Sequence, residues 1–247
     1  MMEREQEAID FINTYCSEMP CVLYFSGGKD SVVVRHLLQR SGVDYVGVYK
    51  STGLEEDGIM EFMQNFTDIV ISDSDWIRMV RKEKILPTME YPYCCNNGRN
   101  RWNDYPNRMI VSGITEDEDS AQDCKTNIVT VNGIISHIRP IYNWTLEERM
   151  AYIQKYGLEH ISASGKSKNC LLCLPHLIME QNGNGYEYVE SEIRTRFPRF
   201  YEKIRNVAYE SYSTLKNEGF EVLAENPEAY FRDWLNGETL LGGVRSE

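Results

Sequence analysis

Six consecutive residues, Ser26-Gly27-Gly28-Lys29-Asp30-Ser31, carry the clearest chemistry in this chain. They follow a short apolar run, Cys21-Val22-Leu23-Tyr24-Phe25, and precede Val32, Val33, Val34, Leu37 and Leu38 at helical spacing. Strand, glycine turn, helix is the order that builds an anion site. The glycines let the backbone turn tightly and approach an anion, and the helix N-terminus adds partial positive charge. Ser26 and Ser31 can donate hydroxyl hydrogen bonds, and Lys29 can add a full charge. Asp30 can hold a magnesium ion or cap the helix. The pattern is not a Walker loop, which needs Gly-x-x-x-x-Gly-Lys-Ser/Thr.

Cysteine supplies the second constellation. Cys94-Cys95 and Cys170-x-x-Cys173 together offer four thiolates, enough for a [4Fe–4S] cluster or a structural Zn²⁺. The ligand type does not choose between them. Adjacent cysteines are less usual for zinc. Cys16 and Cys21 lie in apolar sequence and read as core; Cys124, in a polar stretch, reads as a free thiol and a candidate sulfur carrier. Arg99, Arg101 and Arg108 lie beside the tandem cysteines, where Arg99 or Arg101 can neutralise charge near a substrate. A second basic group, Arg194, Arg196, Arg199, Lys203 and Arg205, reads as solvated surface or as a local patch for a partner subunit or nucleic acid. His160 and His176 flank the Cys-x-x-Cys pair; His36 and His137 fall in predicted elements.

The formal net charge of −12 argues against nucleic acid gripped over the whole surface, because phosphate binding needs Lys and Arg. No apolar stretch approaches the ~20 residues of a membrane span. The polar, acidic start, Met1 to Asp10, does not resemble a signal peptide. A cytoplasmic protein with reduced or metal-binding cysteines is expected.

These residues need a scaffold, and the pattern predicts one. Residues 3–15 read as a helix. Strands follow at 21–25, 45–49, 68–72 and 108–114, with helices after the glycine turn to Gly42, at 58–66 and at 75–84. That alternation predicts an α/β fold, a mostly parallel twisted sheet with helices on both faces. Residues 128–131 and 134–138 flank Asn132-Gly133, a hairpin signal. Thr145 with Glu148 forms a capping box for a helix ending near Gly157. Helices at 198–216 and 227–235 make a helical C-terminal appendage. The expected division is a nucleotide-binding α/β domain with the cysteine site over 1–180, and a helical extension over 181–247.

The six-residue loop resembles that of the PP-loop ATP pyrophosphatases, the adenine nucleotide alpha hydrolase-like superfamily. Within it the chain looks like the phosphoadenosine phosphosulfate reductase group, over about residues 20–178. Ser51-Thr52-Gly53-Leu54-Glu55 is similar to the group's Asp-Thr-Gly-Leu-Glu strand end, with Ser51 in the acidic position. Ser112-Gly113-Ile114 is similar to its later glycine-bearing strand, and Arg139-Pro140-Ile141-Tyr142-Asn143-Trp144-Thr145 to its Pro-Ile-x-x-Trp-Thr segment. The resemblance implies an adenine nucleotide, ATP or an adenylyl sulfate-type molecule, held by Ser26, Gly27, Gly28, Lys29, Asp30, Ser31 and Gly113. It implies Mg²⁺ on the departing pyrophosphate, and Lys29, Asp30, Arg99 and Arg101 in the chemistry. Tandem Cys-Cys followed by Cys-x-x-Cys is similar to the cluster-bearing adenylyl sulfate reductases, which implies a [4Fe–4S] cluster on Cys94, Cys95, Cys170 and Cys173.

The resemblance also separates activities. Sulfonucleotide reductases carry a degenerate loop, whereas this loop is intact, which favours ATP cleaved to AMP and pyrophosphate to activate an acceptor in sulfur-related chemistry. The assimilatory reductases use a nucleophilic cysteine in the tail, and residues 240–247 have none. A sulfonucleotide reductase and a non-catalytic nucleotide-binding subunit remain as alternatives. The acceptor is open: sulfate, a tRNA base, DNA backbone or a small metabolite.

Overall fold

The computed structural model describes residues 2–51, 53, 55, 58–73, 76–88, 91, 93, 105, 108–117, 126–161, 190–191, 194–195 and 198–242. The chain folds as two compact units. The first comprises Met1–Ser51, Asp57–Asp73 and Arg101–Asn169; the second comprises Thr52–Glu56, Ser74–Asn100 and Cys170–Glu247. Neither unit is one continuous stretch of chain.

In the first unit the order is α1 (Met2–Cys16), β1 (Cys21–Tyr24), α2 (Lys29–Ser41), β2 (Tyr45–Ser51), α3 (Ile59–Met63) and β3 (Ile69–Asp73). After residues 74–100 of the second unit come β4 (Met109–Val111), β5 (Ile128–Val131), β6 (Ile134–Ile138) and a helix at Leu146–Tyr156. The six strands make one sheet in the order β3-β2-β1-β4-β6-β5. Every neighbouring pair is parallel except β5–β6, the antiparallel hairpin turned by Asn132 and Gly133. The mostly parallel α/β fold expected from the alternation of elements is therefore present. Strand β1 is central and fully apolar because it is covered on both faces, with Cys21, Val22 and Leu23 at most 1% exposed.

Helix packing follows the apolar stripes. In α1 the buried positions are Glu5, Ala8, Ile9, Ile12 and Cys16, one face of a 3.6-residue repeat. Glu5 is the anomaly on that face. Its carboxylate accepts from Arg40 at 2.9 Å, Lys155 at 2.7 Å and the Tyr156 hydroxyl at 2.7 Å, which explains how a charge survives there. Burial works to raise its pKa, but those donors outweigh it and hold the carboxyl below the usual range.

Three expectations change. The strand read over 108–114 is only Met109–Val111: Ser112 N–H makes a last bond to the Ile138 carbonyl, and Gly113 then packs against the first turn of α2. The helix read over 58–66 is the short α3. Cys16 and Cys21 are buried, but they are joined as a disulfide, where reduced thiols were expected. The turn through Pro20 brings their Cα atoms to 6.1 Å, within reach of a bridge.

In the second unit, α4 (Trp76–Glu83) precedes the helix after β6 in chain order, so that helix is α5 (Leu146–Tyr156); α6 (Pro198–Asn217) and α7 (Pro227–Leu235) follow. Trp76, Val80, Leu86, Tyr201, Ile204, Val207, Tyr230, Phe231 and Trp234 form a separate core. The Trp234 indole donates to the Pro87 carbonyl at 2.8 Å. Asn226 caps α7 by accepting from Ala229 N–H, with Pro227 opening the helix. The helical tyrosines pack within this core, as Tyr201 against Phe231 and Tyr212 against Tyr230. Among the described residues no helix is long and apolar enough to cross a membrane.

Candidate functional site

From β1 the chain runs on to β2 and β3 on one side, while β4, β6 and β5 lie on the other. The crevice beyond the C-terminal ends of β1 and β4 is thus the topological switch point, where open α/β sheets bind ligands. The Ser26–Ser31 loop leaves β1 there, and Ser112-Gly113 leaves β4 there.

The loop is shaped by contacts that only glycine allows. Gly27 has φ +76°, and a Cβ on it would lie 2.6 Å from Met63 Cε and 2.8 Å from Ile161 Cδ1. Its carbonyl accepts from Ile161 N–H at 2.8 Å. A Cβ on Gly113 would lie 2.8 Å from the Asp30 carbonyl carbon and 2.9 Å from its oxygen. The β4 exit therefore rests directly on the first turn of α2.

Serine hydroxyls hold the turn. Ser31 Oγ donates to Gly28 O at 2.9 Å and accepts from Ser26 N–H at 3.3 Å, while Ser26 Oγ accepts from Gly28 N–H at 3.3 Å. Gly28 is the N-cap of α2, with no side-chain cap. Of the two roles open to Asp30, capping is therefore not the one adopted. Its carboxylate instead sits between two cations: Lys29 Nζ at 2.7 Å from Oδ2, and Arg149 at 2.9 Å from Oδ1.

Arg149 is the residue that sequence reading missed. It is fully buried. Its guanidinium also donates to Thr115 Oγ1 at 3.1 Å, to Asp117 Oδ2 at 2.8 Å and to the Thr145 carbonyl at 3.2 Å. Burial alone would lower its pKa, but Asp30 and Asp117 outweigh that and raise it. The Thr115 hydroxyl first, then Arg149, holds the Asp117 carboxyl low. A signal existed: Arg149, Tyr152, Ile153 and Tyr156 share one helical stripe, so a cation lay on an apolar face. The Thr145–Glu148 capping box fixes where that stripe begins.

Beside Gly113, Ser112 Oγ and His137 Nε2 share a 2.7 Å hydrogen bond. Burial, then the nearby Arg139 charge, pushes the His137 pKa down to about 4, so the ring is neutral. His36 likewise bonds Tyr152 OH at 2.8 Å, and burial with Arg40 and Arg35 keeps its pKa low.

The structure brings together Ser26, Gly27, Gly28, Lys29, Asp30, Ser31 and Gly113. Arg99, Arg101, Cys94, Cys95, Cys124, Cys170, Cys173 and His176 lie outside the described residues. Among the described residues no group of three or more His, Cys, Asp or Glu side chains could hold a metal ion. In the second basic group Arg205 is paired with Glu228 at 2.9 Å and Glu202 at 3.5 Å, and Arg194 lies over the Tyr201 ring.

Comparison with known proteins gives the same frame. The phosphoadenosine phosphosulfate reductase domain matches residues 20–163, more than half of the chain. No curated protein sequence matches. Among solved structures, an NMN synthetase from Francisella tularensis superposes with a TM-score of 0.50 at 11% identity, covering 99% of this chain and 98% of that one. An NH3-dependent NAD synthetase from Campylobacter jejuni, in complex with the nitrate ion, gives 0.49 at 16% identity, covering 90% and 98%. The likeness to the NMN synthetase is one of fold.

Proposed function

The chain belongs to the phosphoadenosine phosphosulfate reductase family, and from that premise we propose that it is an ATP-using enzyme that splits the nucleotide between the α- and β-phosphates. The observation that carries this reading is the intact loop at the switch point: glycines at 27 and 28, hydroxyls at 26 and 31, and the N-terminus of a 13-residue helix. Such a loop binds a leaving pyrophosphate as readily as a triphosphate, because backbone dipoles and Lys29 act on phosphate charge wherever it lies. Cleavage leaves AMP on an acceptor and frees pyrophosphate.

The residues present fit a magnesium-bound nucleotide on one condition. Asp30 is the carboxylate at the loop, and both its oxygens already face cations. It would hold the metal once Lys29 turned to phosphate. Magnesium binds through one or two carboxylates together with phosphate oxygens and water, so a single acidic side chain suffices. When bound, it would draw charge from the departing pyrophosphate. The chain's own contribution is to hold the phosphates against the α2 N-terminus, to orient Asp30 through Arg149, and to close the back of the loop with Met63 and Ile161.

Four thiols at Cys94, Cys95, Cys170 and Cys173 are the donor set of a [4Fe–4S] cluster, and we assign them that role in preference to Zn²⁺ on the tandem pair. The same cysteines favour a second reading, a sulfonucleotide reductase acting on adenylyl sulfate. Titration of ATP and adenylyl sulfate into the anaerobic protein separates the two. The first reading expects ATP to bind in competition with pyrophosphate. Tight binding of adenylyl sulfate alone, with thioredoxin-dependent sulfite release, would replace it by the second.

A further inference from the structure

We propose that Arg149 is the positioning residue for Asp30, and that Lys29 is the exchangeable member of the pair of cations on that carboxylate. This rests on the reading of the loop as an ATP site. The two cations differ in every property that decides mobility. Arg149 is fully buried, and its planar fork is fixed by four acceptors: the Thr145 carbonyl, Thr115 Oγ1, Asp30 Oδ1 and Asp117 Oδ2. These belong to α5's own N-terminus, to the chain after β4 and to the first turn of α2. Moving the guanidinium would break all four bonds and strand a buried charge. Lys29 is 31% exposed at its side chain and makes a point contact through a flexible stem.

Charge counting gives the consequence. Lys29 and Arg149 face the Asp30 carboxylate from two sides, and Arg149 also faces Asp117. Phosphates arriving at the α2 N-terminus offer Lys29 a stronger acceptor within reach of the same backbone position. Once Lys29 turns to them, Asp30 Oδ2 loses its cation while Oδ1 stays on Arg149. The remaining group carries one net negative charge, with one carboxylate oxygen released and its orientation held. That is the complement of a divalent cation accompanying a triphosphate. Asp117, 60% exposed at its side chain, anchors the far side of the guanidinium and keeps Arg149 from saturating Asp30 alone. The gain in nucleotide affinity that Mg²⁺ confers should therefore pass through Asp30 and be set by Arg149, a residue that touches neither nucleotide nor metal.

The test is calorimetric titration of ATP into the purified full chain, with Mg²⁺ and with a chelator, for the wild type, Arg149→Lys, Arg149→Met and Asp117→Asn. The affinity ratio with and without Mg²⁺ is the readout, and thermal melting reports the fold separately. The expected result for both Arg149 variants is a ratio reduced about 10- to 100-fold, with Mg²⁺-free affinity changed by no more than about threefold. Asp117→Asn, at an exposed position, keeps the protein folded and is expected to lower the ratio by about threefold. An unchanged ratio in the variants, or equal losses with and without Mg²⁺ that track the melting temperature, would overturn the positioning role and leave the ATP site standing. Absence of ATP binding by the wild type would overturn both.

Discussion

Arg149 and Asp30 stand 119 residues apart in the chain and meet through a 2.9 Å ion pair whose arginine side is closed to solvent. The contact ties the first turn of the phosphate loop's helix to a helix beyond the hairpin.

Asp30→Asn removes the charge opposite a buried guanidinium. Asp117 remains, so the protein is expected to fold but to lose roughly 3 kcal/mol, measured by denaturant unfolding. Loss of less than about 0.5 kcal/mol would show that Asp117 and Thr115 alone satisfy Arg149.

Gly113→Ala places a methyl 2.8 Å from the Asp30 carbonyl carbon, where backbone must move. Overpacking of this kind costs about 1–3 kcal/mol. Because the strained atoms belong to the phosphate loop, ATP affinity should fall with stability. Retained affinity would place the nucleotide elsewhere. Lys29→Ala, by contrast, should weaken ATP with or without Mg²⁺ and leave the melting temperature nearly unchanged.

Acid should act in two windows. His137 has its folded pKa pushed down to about 4 against an ordinary 6.5, so the unfolded chain takes up the proton first. Its contribution is complete above about 6.5 and is lost as pH falls toward 4, on the order of 3 kcal/mol in total. Glu5 has a lowered carboxyl pKa, so its contribution is present above 4.5 and is lost as pH falls further, through the folded value. Denaturant midpoints across this range should show His137→Asn flattening only the upper window and Glu5→Gln only the lower one. Glu5→Gln should also cost about 1–3 kcal/mol near neutral pH, since Arg40 and Lys155 lose a charged acceptor.

The Cys16–Cys21 bridge is checked by thiol counting. Of seven cysteines, five should react in the denatured, metal-stripped protein prepared without reductant, rising to seven after reduction. Seven reactive thiols at the outset would remove the bridge. Iron, sulfide and zinc analysis of anaerobically purified protein should give cluster iron, abolished by Cys170→Ser together with Cys173→Ser. A colourless, zinc-loaded protein would replace the cluster.

Much of the scaffold was legible because each element carries a local signal. The Thr145–Glu148 box, the Asn132-Gly133 turn, Gly42 and Gly157 as helix stops, and Pro227 as a helix start all mark ends in a few residues of sequence. The phosphate loop was legible for the same reason. Arg149 was not, because its partners Asp30, Thr115 and Asp117 lie up to 119 residues away, and a charge on an apolar stripe says only that some partner exists. Glu5 hid in the same way behind Arg40, Lys155 and Tyr156. The Ser112–His137 bond depends on β4–β6 pairing, which follows from the crossover and not from either strand's own pattern.

The central claim is cleavage of ATP between the α- and β-phosphates, and product analysis addresses it directly. ATP labelled at the α and γ positions would be incubated with Mg²⁺, the anaerobically purified protein, and small-molecule or tRNA fractions of a cell extract as the source of acceptor. The account predicts that the γ label leaves as pyrophosphate while the α label appears in AMP or an adenylylated acceptor, with neither formed by Lys29→Ala. Recovery of the γ label as orthophosphate, with the α label in ADP, would contradict it.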